Sequence, residues 1–397
     1  MESPIADLYL RKGADKRLRA DHLWVYSNEV DTKRTPLGHF EAGDCVNVCD
    51  ATGQVLGCAY MEPQSLICAR VYAPQRQCLL DFNVITGHLR AALAGREAAF
   101  DKPFYRLVYG DSDLLPGLVV DRFGDYLVMQ LNNAGIERYE KEIIAALVSL
   151  LQPVGILLRA DSRSRREQGL PNRIEVVHGQ VPKTVDFEEN NVRFVAPVWE
   201  GQKTGWFYDH RMSRARLATY VPDKSVLDVY SYIGGWGIQA AAFGASDVTC
   251  LDSSATALDG VLGNAELNDV ADKVSTRLGL AAETMVTMRQ EGLLFDVVIL
   301  DPPAFIQRRK DIKKGIAAYR KINELGLHLL RPGGLLISGS CSMHLSRADL
   351  NYAIGGAARR VGCQVRVIEQ GAQGADHPIH PAIPETEYLK AVFARRL

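Results

Sequence analysis

Residues 225–237 read "SVLDVYSYIGGWG", and the interpretation of this stretch decides the fold. Val226, Leu227 and Val229 make a short apolar run, the mark of a strand buried on both faces. A turn containing Gly234, Gly235 and Gly237 follows at once, and then a helical pattern begins. A strand that empties through a glycine turn into a helix is the first half of a parallel α/β unit. Such units bind ligands at the carboxyl ends of their strands. The glycines allow a backbone to approach a ligand closely. Their spacing is not G-x-G-x-x-G, so the dinucleotide fingerprint fails at its third glycine.

The pattern repeats C-terminally. "DVTCLDSS" (247–254) is a strand followed by a helix through "ALDGVLGNAELN" (257–268). "FDVVILDPPAF" (295–305) is another strand, and a helix through "AAYRKINELGLHLL" (317–330) should stop at Gly333-Gly334. "LLISGSCS" (335–342) follows, with Ser346 placed to cap the next helix, and "CQVRVIEQ" (363–370) and "EYLKAVFARRL" (387–397) supply late strands. Alternation of this kind predicts an α/β fold with a doubly wound, Rossmann-like sheet over 201–397. Upstream, "EAGDCVNVCDATGQVLGCAYM" (41–61) alternates around a turn and suggests a small β-barrel-like module over 1–73. Residues 74–200 hold a helix at 79–100, strands such as "GLVVDRF" and a helix near 137–151, an α+β central domain.

Chain-wide properties exclude several classes. The 397 residues carry a formal net charge of −1, so no global charge argues for nucleic acid. Charge is nevertheless clustered: Arg308, Arg309, Lys310, Lys313 and Lys314 stand in one loop, and Arg11, Lys12, Lys16, Arg17 and Arg19 near the N-terminus. Such clusters suit a phosphate backbone, and they equally suit a solvated surface. The eight cysteines contain no CxxC pair, and His377 and His380 lack an acid or thiol at ligand spacing, so no metal is expected. The N-terminus lacks the apolar core of a signal peptide and no stretch is long enough to span a bilayer; a cytoplasmic protein with reduced thiols is expected.

The strand ends carry the chemistry. Asp252 ends the second strand, where a carboxylate suits the two hydroxyls of a ribose, whether of NAD or of S-adenosylmethionine. Asp301-Pro302-Pro303-Ala304-Phe305 separates the two. The prolines stiffen the backbone beside an acid and an aromatic ring, a setting in which a nucleobase can stack and hydrogen-bond, and for which hydride transfer has no evident need. Cys341, where a buried strand meets polar sequence, is a small core residue, a metal ligand or a nucleophile. Trp24 is a base-stacking platform or a core residue.

Taken in order, "GQKTGWFYDHR" (201–211), "VLDVYSYIGGWG", "LDSSATAL", "FDVVILDPPAF" and "SGSCS" resemble the bacterial 23S (large-subunit) ribosomal RNA cytosine-C5 methyltransferases of the methyltransferase I type. "LRKGADKRLRADHLWVYSNEV" (10–30) is similar to the start of their PUA RNA-binding domain, and the likeness covers nearly the whole chain. The resemblance implies S-adenosylmethionine as cofactor, 23S rRNA as partner, no membrane, and a homodimer. It implies cofactor contacts from Thr204, Gly205, Asp209 and Arg211, from Tyr230, Ser231, Tyr232 and Gly234, from Asp252 and Ser253, and from Leu280, Asp301 and Pro302. Cys341 would attack the base and Asp301 would stand beside it. Pro303, Phe305, Arg308, Arg309 and Lys310, with Arg11, Lys12 and Trp24, would meet the RNA. The chain departs from the family pattern at three places. No acid follows the third strand, where Gly279 and Leu280 stand; His210 replaces a usual glutamine, and Ala304 a usual lysine. Two other readings stay open: a methyltransferase acting on a base nitrogen with a structural Cys341, and a non-enzymatic RNA-binding or ribosome-assembly factor.

Overall fold

The alternation at 41–61 folds into two paired strands of a five-stranded sheet in the computed structural model, which describes residues 5–74 and 77–397. Its strands are β1 (Ala6–Tyr9), β2 (Trp24–Tyr26), β3 (Cys45–Cys49), β4 (Val55–Met61) and β5 (Ile67–Pro74), in the order β1-β3-β4-β5-β2. Only β1 and β3 run parallel; the other pairs are antiparallel. A second sheet contains β6 (Phe104–Tyr109), β7 (Leu118–Phe123), β8 (Tyr126–Leu131), β9 (Gly155–Ala160) and β10 (Arg173–Gly179), in the order β10-β9-β8-β7-β6. Its parallel pair, β8 and β9, is joined across helix Glu140–Leu151, as a parallel connection requires. Helix Phe82–Ala99 begins where the Asp81 side chain accepts from Val84 N–H.

These two sheets share one core. Tyr60 and Tyr72 of the first bury against Ile85 and Leu89 of the helix and against Leu107, Leu127 and Met129 of the second. The Tyr60 hydroxyl donates to the Pro116 carbonyl at 2.7 Å, which satisfies a buried polar group. The sequence suggested segments 1–73, 74–200 and 201–397; by packing, the chain forms two compact units. The first runs to Val185 and includes Pro197–Trp206 and Ala375–Thr386. The second holds Asp186–Ala196, Phe207–Gly374 and Glu387–Leu397. The periodicity of a strand shows that one face is buried but not which neighbour buries it, and Tyr60 and Tyr72 are the residues that join the first two segments.

The second unit opens with the hairpin β11 (Val185–Glu189) and β12 (Val192–Ala196). Its turn residues Asn190 and Asn191 both take positive φ, which asparagine tolerates and a tight hairpin needs. Glu189 is buried and clamped by Arg214 through two bonds of 2.6 and 3.0 Å, and it also accepts from Gln239 at 2.9 Å. Gln239 lies in the helix that follows the glycine turn, so this network ties the hairpin beneath that turn.

The main sheet has β13 (Ser225–Val229), β14 (Asp247–Asp252), β15 (Val274–Leu278), β16 (Phe295–Leu300), β17 (Leu330–Ser340), β18 (Val365–Gly371) and β19 (Lys390–Arg396). The order is β15-β14-β13-β16-β17-β19-β18, so the doubly wound sheet predicted from sequence is present. The first five positions run parallel, and β19 inserts antiparallel between β17 and β18. Gly333 and Gly334 fall inside β17 rather than after the preceding helix, which ends at His328. The strand order reverses at β13, so the crevice between the ends of β13 and β16 is where a ligand binds in such sheets.

Candidate active site

Chemistry concentrates at the carboxyl ends of β13, β14, β16 and β17. After β13 the chain turns sharply: Tyr230 and Tyr232 take φ of 67° and 50°, and Gly234 takes 89°. Two bulky residues in the left-handed region mark a backbone held in place by its surroundings. A side chain at Gly234 would meet Ile238 at 2.6 Å, and one at Gly237 would meet the Cys250 sulfur at 2.4 Å. The sequence therefore needs glycine at both places. Asp228, fully buried at the end of β13, accepts from Gly237 N–H at 2.8 Å through one oxygen. Among the described residues nothing bonds to its other oxygen, which is buried, or to the buried Ser231 hydroxyl. Burial pushes the Asp228 carboxyl up to about 7, with the charges of Asp301 and Asp252 adding to the rise.

Asp252 stands at the end of β14. One of its oxygens accepts from Tyr232 N–H at 2.9 Å and the other from Ser254 N–H at 3.0 Å. Each oxygen keeps a further lone pair for a diol. Ser253 beside it is exposed. Just past β15, Leu280 is 59% exposed and presents an open apolar side chain.

Asp301 directly follows β16, with its side chain 22% exposed. Trp236 Nε1 donates to its Oδ2 at 3.0 Å, and His210 Nε2 lies 3.2 Å from its Oδ1. His210 is buried. Burial acts to raise the Asp301 pKa, but the His210 charge and the two side-chain contacts outweigh it and hold the carboxyl below its ordinary value. Burial likewise opposes the charged form of His210, and Asp301 overcomes it, so the imidazole is raised above 6.5. When His210 carries its proton, the two form an ion pair.

Cys341 follows β17 directly and is partly exposed. Its loop is braced on three sides. Ser340 Oγ donates to the Tyr319 hydroxyl at 2.8 Å, Ser342 Oγ bonds the same hydroxyl at 2.8 Å, and Ile306 N–H donates to Ser342 Oγ at 3.2 Å. The Asp-Pro-Pro segment and the cysteine loop are thereby locked together. Because β16 and β17 are adjacent, with Leu300 opposite Ser338, the acid and the thiol sit on neighbouring strand ends. A side chain at Gly339 would come within 3.0 Å of Asp301 Oδ1. Pro302 is buried, Pro303 exposed, and Phe305 half-buried against Tyr319 at 4.9 Å between ring centres.

The remaining sequence-derived residues fall in several places. Asp209 accepts from the Tyr388 hydroxyl at 2.6 Å, and Arg211 lies 3.6 Å from Glu189. Arg308, Arg309 and Lys310 are exposed on the loop before helix Ile312–His328. Thr204 and Gly205 belong to the first unit, where the Thr204 hydroxyl donates to Asp121 and Gly205 packs against Pro197 and Val198. Trp24, also in the first unit, is half-buried, with its indole N–H donating to Asp111 at 2.7 Å. Arg11 donates to the Val30 carbonyl at 3.0 Å, and Lys12 is exposed. Sequence reasoning missed Asp228, Trp236 and Lys390, and met His210 only as a departure. A buried acid in the strand before a glycine turn was a usable signal for Asp228; nothing local marked the other three.

A nucleoside cofactor fits this crevice. Tightly packed glycines line its floor, Asp252 offers acceptors for hydroxyls, and a buried acceptor and a buried hydroxyl at the turn are left over. Comparison with known proteins agrees. A family model described as an S-adenosylmethionine-dependent methyltransferase matches residues 155–379, and one described as a PUA-like domain matches residues 8–74. Proteins named ribosomal RNA large subunit methyltransferase I, from Aliivibrio fischeri and Vibrio cholerae, are 36% identical to the chain; the first alignment covers 98% of both chains, the second 98% of this chain and 99% of the relative. A solved methyltransferase complexed with SAH has the same fold, with a TM-score of 0.84 at 20% identity over 98% of this chain and 100% of the other. Among the described residues no helix is long and apolar enough to cross a membrane. With the sheet order, the crevice chemistry and near-complete alignment in agreement, the chain belongs to the S-adenosylmethionine-dependent methyltransferases, in the family of the ribosomal RNA large subunit methyltransferase I proteins.

Proposed function

We propose that the protein methylates C5 of a cytosine in large-subunit (23S) rRNA, with Cys341 as a covalent nucleophile. The observation that carries this reading is the placement of a braced, accessible thiol on the strand end next to an acid-Pro-Pro segment. Cytosine C5 is a poor nucleophile on its own. Addition of the Cys341 thiolate to C6 breaks the C5–C6 π bond and moves its electron pair to C5, which can then form a bond to carbon. The cofactor, when bound, supplies an electrophilic methyl group on sulfur. A water molecule then takes the C5 proton, the C5–H electron pair re-forms the C5=C6 bond, and the C6–S bond breaks to return the Cys341 thiolate. Asp301, held as an anion, orients the ring by accepting from the exocyclic amine. The His210 cation behind it offsets the negative charge that grows on the ring.

Binding follows from the same surfaces. Asp252 would hold the ribose, the 230–234 turn the amino-acid end, and Leu280 would pack on the adenine. The adenine amine then meets no side-chain acid. Leu280→Asp should tighten S-adenosylmethionine binding several-fold, because one hydrogen bond is worth about 1 kcal/mol. The position is open enough to accept a carboxylate without a packing cost. Calorimetric titration checks this, and an unchanged or weaker affinity would show that the amine is satisfied elsewhere.

RNA would meet the exposed Arg308, Arg309 and Lys310 of the second unit, and the N-terminal sheet of the first unit would be a separate RNA-binding surface. Replacing the three basic residues by alanine should leave cofactor affinity unchanged. It should reduce the slope of log K for rRNA against log salt by about 2, since each phosphate contact contributes roughly 0.7–0.9. Filter-binding at several salt concentrations measures it; an unchanged slope would remove this loop from the interface.

The whole reading is tested by mapping methyl groups on 23S rRNA from cells lacking the protein. Loss of one 5-methylcytosine supports it. Loss of a methyl on a base nitrogen, or of none, would overturn it.

A further inference from the structure

Lys390 is buried, with 4% of its surface exposed, at the first position of β19. It stands opposite Ser340 in the β17 ladder, one residue before Cys341. Its ammonium donates to the Ser342 carbonyl at 2.7 Å and to the Tyr388 carbonyl at 2.8 Å. Two of its three N–H groups are thus used, one on the cysteine loop at Ser342 and one on its own segment at Tyr388. Among the described residues no carboxylate forms an ion pair with it; Glu387 acts on it only at longer range. A buried cation without an anion is costly, and proteins keep such a group where an anion will form.

We propose that Lys390 is a positioning residue that fixes the Cys341 loop and stabilises the Cys341 thiolate by holding a desolvated ammonium beside it. The third N–H of the ammonium is left for the sulfur. The groups that face the pair are Tyr319 from helix Ile312–His328, Arg347 from the helix that follows Cys341, and Glu387 from the tail. Burial, helped by Arg347, outweighs the upward pull of the Cys341 thiolate and of Glu387 and holds the lysine down at about 8. The two charges therefore support each other: protonated Lys390 favours the thiolate, and the thiolate keeps Lys390 protonated through neutral pH. Above that range the lysine loses its proton and the support fades. The role rests on the proposed nucleophile, yet it concerns the thiol itself and needs no RNA to be observed.

The test is the pH profile of Cys341 alkylation by iodoacetamide in the full-length protein, read by mass spectrometry of the peptide that carries it. The wild-type half-point should lie clearly below about 8.5, the value of an ordinary thiol. Lys390→Met should raise the half-point by about one unit and slow alkylation at pH 7 about tenfold, whereas Lys390→Arg should keep most of the effect. A wild-type half-point at or above the ordinary value would overturn the proposal, even where the methionine variant is too unstable to assay. So would an unchanged profile in a folded Lys390→Met protein. A low half-point combined with no cytosine methylation would instead sink the proposed reaction and leave the charge pair standing.

Discussion

Cys341→Ala should abolish methylation, with a fall of at least about three orders of magnitude in rate, while S-adenosylmethionine still binds. The expectation follows from the chemistry of the ring and from the position of the thiol. Without addition at C6, C5 remains a poor nucleophile, and the neighbouring groups on the strand ends are engaged elsewhere. Tyr319 and Ser340 are occupied with each other, and Asp301 is tied to Trp236 and His210. The alanine lies in a partly exposed loop whose bracing runs through Ser340, Ser342 and Tyr319, so the fold should survive. Cofactor affinity should be unchanged, because the turn after β13 and Asp252 form their bonds without Cys341. Methyl incorporation into rRNA and calorimetry on the same preparation check both halves. A variant that methylates at a comparable rate would mean that the thiol is a packing residue.

Asp301→Asn should lower the methylation rate by about 10²–10³, the usual effect of removing one group aimed at charge developing in a reaction. The amide keeps the size of the side chain and can still accept from Trp236. It loses the charge that raises His210 and cannot hold the base amine as firmly. The ion pair also fixes the pH window. Asp301 is depressed, so its contribution to stability is present above the ordinary carboxylate value of 3.8 and is lost as pH falls through its lowered pKa. His210 is raised, so its contribution is complete below 6.5 and is lost as pH rises through its higher folded value. Denaturant unfolding of the second unit should therefore show a decline on the alkaline side of pH 6.5, and His210→Gln should flatten it. An identical pH dependence in the two proteins would show that the pair carries no linkage.

Much of the second unit was legible because its signals are local. "FDVVILDPPAF" announces a buried strand, its end and its acid within eleven residues, and β16 ends at Leu300 with Asp301 next. Cys341 and Asp252 were placed in the same way, as polar residues where apolar runs stop; Asp252 does end β14, and Cys341 directly follows β17. What escaped depends on distant partners. His210 lies in a short turn of helix and reaches Asp301 across 91 positions of sequence, so no spacing rule connects them. Lys390 looked like one more charge in the last strand. Only the insertion of β19 between β17 and β18 puts it beside the cysteine loop, and strand order in a sheet cannot be read from alternation. The grouping of the N-terminal and central sheets depends likewise on Tyr60 and Tyr72, whose alternation shows a buried face without naming its neighbour.

The central claim is a covalent bond between Cys341 and cytosine C6 during turnover. That bond normally breaks when the C5 proton leaves. RNA carrying 5-fluorocytosine at the target has no such proton, so methyl transfer should strand the protein on the RNA. Denaturing electrophoresis of the full-length protein with this RNA should show a stable protein–RNA species that requires S-adenosylmethionine and is absent with Cys341→Ala. No such species with the wild-type protein, under conditions in which unmodified RNA is methylated, would contradict the account.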